Sequence, residues 1–319
     1  MHVPAIILVG GEGTRLRPLT DTIPKPMLPL LDRPLLSYTF AHLRSAGVGR
    51  AVLACGYLPT AIEAYFGDAY DGLALEYRVE PQPLGTGGAI RFAAGNIDRT
   101  FLALNGDSLR EADLRLLLAF HQARGAKATI LLTRVSDPSR YGLVRTDSHG
   151  RVVGFREKPQ PHEIDTDLIN AGVYVLEPEV LDLIEPGRHV SIEREVFPAL
   201  ADEGSLYALY LPGYWLDVGT PASYLQAHID LLGRRSSIEI DDSARISEEA
   251  LLIPPVLVGP DAEVERGSRI GPFVHLGRGT RIGRRVVVRW AAVLPDSVVA
   301  SEARIARAII SPEIGVLSP

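Results

Sequence analysis

Short apolar segments alternate with amphipathic ones along the first two thirds of the chain. Ala5 to Val9 predicts a strand, Pro34 to Ala46 a helix, Ala51 to Cys55 a strand, Pro59 to Phe66 a helix, Leu73 to Val79 a strand and Thr86 to Ala93 a helix. The rhythm continues with Phe101 to Leu104, a helix from Ala112 to Arg124, Ala128 to Arg134, and a strand-rich stretch from Leu143 to Phe155 that reads as an antiparallel addition. This alternation predicts an α/β fold, a Rossmann-like mostly parallel sheet with helices on both faces, because parallel strands need crossovers and the crossovers cover the sheet. Ligands of such sheets lie beyond the C-terminal strand ends, near a switch point in strand order.

After Gly233 the period changes. Aliphatic residues fall every six positions at Ile240, Ile246, Leu252, Val258, Val264, Ile270, Leu276, Ile282, Val288 and Leu294. Small or β-branched residues recur four positions later at Ala244, Ala250, Ala262, Ser268, Val274, Thr280, Val286, Ala292 and Val298. Three such sides make one triangular coil of about eighteen residues, so the expectation is a left-handed parallel β-helix of roughly three coils. The repeat slips after Leu294, where position 300 is Ala, and Ile305 to Pro319 reads as a cap or partner-binding tail. Two domains follow, 1–233 and 238–319, which suits 319 residues at roughly 150 per domain.

With 46% hydrophobic and 23% charged residues, a disordered or fibrous chain is excluded. The net charge of −6 argues against sequence-independent nucleic-acid binding, which needs a basic face. An anionic ligand must therefore be held by a local site. No apolar run reaches the length of a membrane span, and the apolar N-terminal stretch runs into Gly10-Gly11 without a cationic leader, so it reads as a strand and no membrane partner is expected. The single cysteine, Cys55, excludes an internal disulfide or a cysteine-rich metal site and points to the reducing cytoplasm. Of 33 basic residues only Lys25, Lys127 and Lys158 are lysines, which draws attention to places where a compact ammonium is wanted.

Two of those lysines fall in motifs. The first strand feeds Gly10-Gly11-Glu12-Gly13-Thr14-Arg15-Leu16-Arg17-Pro18-Leu19-Thr20, then Pro24-Lys25-Pro26-Met27-Leu28-Pro29. Glycines let successive N–H groups turn toward phosphate oxygens, and the basic residues add charge around that cradle. The spacing fits neither a Walker A loop nor a dinucleotide fingerprint. The string resembles the hallmark of the sugar-1-phosphate nucleotidyltransferases, the NDP-sugar pyrophosphorylases. Further segments of that family follow in order: Leu84-Gly85-Thr86-Gly87-Gly88-Ala89-Ile90, Asn105-Gly106-Asp107, Tyr141-Gly142, Phe155-Arg156-Glu157-Lys158-Pro159, Asn170-Ala171-Gly172 and Trp215-Leu216-Asp217-Val218-Gly219-Thr220.

The resemblance implies displacement at the α-phosphate of an NTP by a sugar-1-phosphate oxygen, giving an NDP-sugar and pyrophosphate. It makes Arg15, Lys25, Asp107, Lys158 and Asp217 the catalytic set. Asp107 and Asp217 are the expected Mg²⁺ ligands, since hard carboxylates suit a cation that keeps most of its waters. Arg15 and Lys25 are expected on the phosphates of the nucleotide, and Lys158 on the sugar phosphate. Leu8, Gly10, Gly11, Gly13, Thr14, Glu80, Gly85 and Thr86 are expected at the nucleotide, and Tyr141, Gly142, Glu157 and Asn170 at the sugar. Taken singly, Asp107 and Asp217 also read as helix caps and Lys158 as an exposed turn residue.

The family reads its base partly with the residue five positions before the glycine of the LGT segment, here Glu80. A carboxylate only accepts hydrogen bonds, which suits the N1–H and N2–H₂ donors of guanine, so GTP is favoured. Gln82 keeps a uridylyl or thymidylyl reading open. Guanylyl specificity with a hexapeptide tail resembles the mannose-1-phosphate guanylyltransferases, and the LGTGGAI wording also resembles heptose-1-phosphate guanylyltransferases. A non-catalytic NDP-sugar-binding regulatory subunit and an acyltransferase served by His275 are the alternatives from other classes, and the tail is expected to support a homo-oligomer.

Overall fold

The computed structural model describes residues 3–56 and 58–319. The chain divides into two compact units, one formed by residues up to Glu12 with Tyr38–Trp215, the other by Gly13–Ser37 with Leu216–Pro319.

The first unit is built on strands β1 (Ala5–Leu8), β2 (Arg50–Cys55), β3 (Leu73–Val79) and β4 (Phe101–Asn105). These four lie parallel in the order β4-β1-β2-β3, with Ala5 opposite Ala51 on one side and Leu102 on the other. Consecutive positions Ile6 and Ile7, Val52 and Leu53, and Leu102 and Ala103 are all buried, so both faces of the sheet are covered. Helix α1 (Leu35–Ser45) follows β1 in the chain, α2 (Pro59–Phe66) follows β2, and α3 (Gly85–Ala94) follows β3 and packs on β1 and β2. Ile90, Ala93 and Ala94 of α3 join Ile6, Val52 and Ala54 in one core.

The antiparallel part is larger than the sequence suggests. After α4 (Leu114–Arg124) come β5 (Ala128–Arg134), β6 (Gly142–Thr146), β7 (Val152–Glu157) and β8 (Leu168–Leu176). The β6–β7 hairpin is the expected addition. It joins the sheet through β8, which returns to lie antiparallel beside β4 and also pairs β5. A π-turn at Ile192–Val196, α5 (Phe197–Glu203) and β9 (Leu206–Tyr210), parallel to β5, complete the unit. Strand β1 has β2 on one flank and β4 on the other, so the chain switches direction across the sheet there. The crevice expected for a ligand therefore belongs at the carboxyl ends of β1 and β4.

In the second unit, α6 (Pro221–Gly233) precedes a stack of short parallel strands. Ile238–Ile240 pairs with Val256–Val258, and that with Val274–Leu276. Arg245–Ile246 pairs with Glu263–Val264 and then Arg281–Ile282, while Leu251–Leu252 pairs with Arg269–Ile270 and then Val287–Val288. Each partner lies 18 residues on, the offset also seen between Ser268 Oγ and Val286 N. Val258, Val264, Ile270, Leu276, Ile282 and Val288 fill the interior.

The spacing of six does not survive as far as Leu294. The corner Gly271-Pro272-Phe273 is followed one coil later by a shorter corner, Arg289-Trp290, and Val274 then faces Ala291. From there the offset is 17, as between Arg284 and Ser301. Ala291 and Val293 point into the core in place of the expected Ala292 and Leu294, and Ala308 and Ile310 follow in the new phase. The tail expected as a cap or partner-binding segment forms a further parallel strand, Arg304–Ser311, and folds back antiparallel as Gly315–Leu317. Trp290 stacks on Phe273 with centroids 4.5 Å apart, and the Arg307 guanidinium lies 5.7 Å from the centroid of its ring.

His275 does not offer an acyltransferase base. Its ring is buried and stacked on His228 of α6 at 5.5 Å, and its pKa is pushed down to about 3 by burial and then by the Arg235 charge. Burial and the neighbouring His275 hold His228 well below the usual histidine range, against a small upward pull from the Pro29 carbonyl. Both rings are therefore neutral in the folded chain, whereas unfolded histidines take up protons below their ordinary pKa near 6.5. The stabilisation is complete above that value and is lost as pH falls below it, with a slope of at most about 2.7 kcal/mol per pH unit for two protons. Urea midpoints of the wild type are expected to fall more between pH 7.5 and 5 than those of the double variant His228→Leu, His275→Leu; parallel curves would remove this role.

Candidate active site

In the first unit the candidate residues gather at the carboxyl ends of the parallel strands. Gly10 follows β1, Glu80 follows β3 and Asp107 follows β4. A Cβ at Gly10 would stand 3.0 Å from Glu80 Oε1, and one at Gly56 would stand 2.7 Å from the Gly10 carbonyl oxygen. Only glycine fits at Gly56, a position the motif reading missed because it lies between segments. Among the described residues nothing stands within 4 Å of a Cβ at Gly11.

Glu80 is not a solvated loop charge. It is half-buried, its Oε2 accepts from Leu84 N at 3.0 Å, and burial raises its pKa while that hydrogen bond pulls it down. The carboxylate thus anchors the LGT segment and faces the Gly10 turn. Gln82 is exposed, with its amide 3.5 Å from the Gly187 carbonyl.

Gly85 has a φ of +71°, and a Cβ there would meet the Val190 carbonyl oxygen at 2.6 Å. The glycines thus let α3 start directly against the 188–192 segment, with Gly87 N donating to Val190 O at 2.8 Å. The Thr86 hydroxyl is engaged within the protein, donating to Glu193 Oε2 at 2.6 Å and accepting from Ile192 N at 3.0 Å. Glu193, in the π-turn, was not legible in the sequence. It also accepts from Ser191 Oγ at 2.8 Å and Tyr174 Oη at 3.2 Å.

The expected sugar residues sit around the β6–β7 hairpin and β8. A Cβ at Gly142 would stand 2.8 Å from Glu157 Oε2. Burial raises the Glu157 pKa and the Glu193 charge adds to it, against Lys158 and Arg194. Lys158 is exposed at a φ of +50°, and its N–H donates to Tyr141 O at 3.2 Å. Tyr141 packs edge-on to Trp215, whose Nε1 donates to Ala171 O at 3.0 Å. Asn170 accepts from Gly172 N and donates to Tyr174 Oη, both at 2.9 Å, so its amide is held within a network that runs to Glu193.

Beyond β4, Gly106 N donates to Leu8 O at 3.0 Å, and a Cβ on Gly106 would stand 2.7 Å from Val9 Cγ1. The Asn105-Gly106-Asp107 turn is thereby pressed onto the end of β1. Asp107 does not cap the helix that follows; Asp113 does, accepting from Arg115 N at 2.9 Å.

The second unit holds the rest. Gly13 adopts a φ of +65° ahead of a 3₁₀ turn at Thr14–Leu16, and its carbonyl accepts from Thr20 Oγ1 at 2.9 Å. A second 3₁₀ turn, Lys25–Met27, carries the signature lysine. Asp217 lies between the two cations: its Oδ2 is 3.7 Å from Arg15 Nη2 and its Oδ1 is 3.9 Å from Lys25 Nζ. The Lys25 side chain is 8% exposed, that of Asp217 19% and that of Arg15 58%, so Arg15 is the cation with room to move. A Cβ at Gly219 would stand 2.7 Å from Asp217 Oδ2 and 2.8 Å from Arg15 Nη2, so this glycine makes space for the pair. Asp217 does not cap α6 either. Thr220 and Ser223 form a reciprocal box at that terminus, with each backbone N–H donating to the other's hydroxyl, an arrangement worth about 1 kcal/mol.

Among the described residues no cluster of three or more His, Cys, Asp or Glu is placed to hold a metal ion alone. Single hard carboxylates of this kind suit a cation that fills most of its shell with waters and phosphate oxygens, which is the habit of Mg²⁺. No helix among the described residues is long and apolar enough to cross a membrane.

Residues 4–234 match the family model described as nucleotidyl transferase, and residues 252–316 match one described as the GMPPB C-terminal domain. A mannose-1-phosphate guanylyltransferase of Mycobacterium tuberculosis is 44% identical over 84% of this chain and 78% of that protein. Mannose-1-phosphate guanylyltransferase 1 of Arabidopsis thaliana is 38% identical over 83% of this chain and 79% of its own. Among solved structures, HddC from Yersinia pseudotuberculosis complexed with GMP-PN aligns with a TM-score of 0.61 at 30% identity, over 70% of this chain and 97% of that one. The apo UDP-glucose pyrophosphorylase aligns at 0.66 and 23% identity over 74% of this chain and all of its own, a likeness of fold.

Proposed function

Since the chain belongs to the nucleotidyltransferase family, making an NDP-sugar and pyrophosphate from an NTP and a sugar-1-phosphate, we propose that its substrates are GTP and mannose-1-phosphate and its product GDP-mannose. The observation that carries the base is the half-buried Glu80 carboxylate beside the Gly10 turn, an acceptor-only group suited to the two donor positions of guanine. The sugar rests on the relatives' names and on the Gly142, Glu157 and Asn170 neighbourhood, whose acceptors suit hydroxyl donors.

In this reading the N–H groups after Gly10 and the Arg15 and Lys25 cations receive the triphosphate, and Lys158 orients the sugar phosphate. A sugar-phosphate oxygen attacks the α-phosphorus, the bond to the bridging oxygen of the β-phosphate breaks, and pyrophosphate leaves with its charge on Arg15 and Lys25. Because no protein nucleophile takes part, the rate comes from placing two anions in line and stabilising charge. Asp217 keeps the two cations together until phosphate oxygens replace it as their partner. Asp107 and Asp217 are the proposed Mg²⁺ ligands, and the cation, when bound, would neutralise charge on the phosphates.

We take the second unit's parallel stack as the left-handed β-helix; its 18-residue pairing supports that reading. The catalytic domain is taken as 1–233 and the β-helix as 238–319. We also take the β-helix as an oligomerisation module, supported by Ile238 and Ile240, which occupy interior positions of the first coil yet are 40% and 46% exposed. A cytoplasmic setting fits the lone buried Cys55, whose pKa is pushed up to about 12 by burial.

A pyrophosphate-release screen of GTP, UTP, dTTP, ATP and CTP against mannose-, glucose-, N-acetylglucosamine- and heptose-1-phosphate tests the pair. The fastest turnover is expected with GTP and mannose-1-phosphate, and a preference for UTP or dTTP would overturn the base assignment. Glu80→Gln is expected to weaken GTP use by about 1 to 3 kcal/mol, the cost of an unpartnered buried donor, and to improve UTP relative to GTP. The ratio of kcat/KM for GTP and UTP with one fixed sugar phosphate reads this directly; an unmoved ratio would show that Glu80 serves only to anchor Leu84.

A further inference from the structure

Arg110 is a buried cation that none of the motifs contains. It is 7% exposed, and its Nη2 donates to the Asn105 carbonyl at 2.7 Å and to the Ser108 hydroxyl. Among the described residues its Nε and Nη1 find no hydrogen-bond partner. A buried guanidinium with donors left over is costly unless a nearby negative charge offsets it. The acidic groups acting on it are the Asp107 carboxylate and, more weakly, the Tyr174 hydroxyl. The Arg110 charge also acts on half-buried His42, whose Nε2 is 2.6 Å from Ala112 O and whose Nδ1 has no hydrogen-bond partner among the described residues. His42 supplies no counter-charge.

The two residues that Arg110 grips stand on either side of Asp107, Asn105 two positions before it and Ser108 one position after. The same turn is held from above by Gly106 N on Leu8 O and is crowded by Gly172, where a Cβ would stand 2.6 Å from Asn105 Nδ2. We propose that Arg110 is a positioning residue for Asp107, bracketing the turn from within the unit so that an arriving divalent cation meets a carboxylate already in place. This rests on the reading of Asp107 as a cation ligand.

Charge and positioning make opposite demands, which renders the proposal testable. A positive charge beside a carboxylate repels a cation, so if Arg110 acted through charge alone, Arg110→Met would tighten cation binding. If it positions, Arg110→Met weakens binding about tenfold or more, as loss of an outer partner of a metal ligand does. Mn²⁺ is titrated into the full chain with GTP present and sugar phosphate absent, and binding is followed by water-proton relaxation. Arg110→Lys keeps the charge and loses the fork, so it too is expected to weaken Mn²⁺ binding, by less than Arg110→Met.

Unchanged or tighter binding in a folded Arg110→Met protein would overturn the proposal. Should that variant fail to fold, Arg110→Lys decides: wild-type affinity in it overturns the role. Asp107→Asn is measured alongside. If it leaves Mn²⁺ binding unmoved, the metal reading itself has failed; if it weakens binding while the Arg110 variants do not, only the positioning role has.

Discussion

Replacing Asp107 or Asp217, the proposed cation ligands, by Asn is expected to lower turnover about a thousandfold, since loss of such a ligand removes several kcal/mol of charge stabilisation at about 1.4 kcal/mol per factor of ten. Both variants should also lose stability. Asp107, half-buried in the turn after β4, is the carboxylate acting on buried Arg110, so its amide replacement leaves that guanidinium under-compensated and should lower the melting temperature. Asp217 is a counter-charge of the nearly buried Lys25, so Asp217→Asn weakens the compensation of that ammonium and should likewise lower the melting temperature. Steady-state kinetics across Mg²⁺ concentrations, with thermal melts on the same preparations, measure both. Near-normal Mg²⁺-dependent turnover in both variants would take them out of the site.

The three lysines should separate cleanly. Lys25→Ala removes a cation that is 8% exposed and held beside Asp217, and should raise the NTP KM and lower kcat/KM by about 10- to 100-fold, the value of a charge-assisted contact. Lys158→Ala removes an exposed ammonium next to Glu157 and should act on the sugar-phosphate KM instead. Lys127→Ala breaks a solvent-screened surface pair with Glu203 and should be nearly silent. Equal effects from all three would sink the assignment of roles.

The parallel centre of the first unit was legible because strands covered on both faces read as continuous apolar runs, as in Ala51 to Cys55. The place of β8 was not. Nothing in Leu168–Leu176 says that it returns beside β4, since strand order is set by long-range packing. The basic and acidic residues of the signature were legible as a string. Their partners were less so: Gly56 and Gly219 matter for the space they leave, and Glu193 reaches Thr86 from 107 positions away. Arg110 was hidden because it lies outside every motif, and nothing in Leu109-Arg110-Glu111 marks a cation that packing will bury. The spacing of six ran on to Leu294 by coincidence, since Ala291, Ala292, Val293 and Leu294 offer small and aliphatic side chains in either phase.

A stack of equal coils has a hidden ambiguity. Strands that repeat every 18 residues could pair one whole coil out of place and still present the same inward pattern, much as a screw engages a nut at any turn. The two-residue corner at Arg289-Trp290 removes that freedom for the last part of the chain. A strand pairing continued at the old offset would turn Ala292 and Leu294 inward and expel Ala291 and Val293, since a slip of one residue reverses every side chain. The stacked Phe273, Trp290 and Arg307 mark the same corner and have no counterpart one coil earlier, where Pro254 and Pro255 stand. The irregular coil thus works as a thread stop, giving the C-terminal strands one seat.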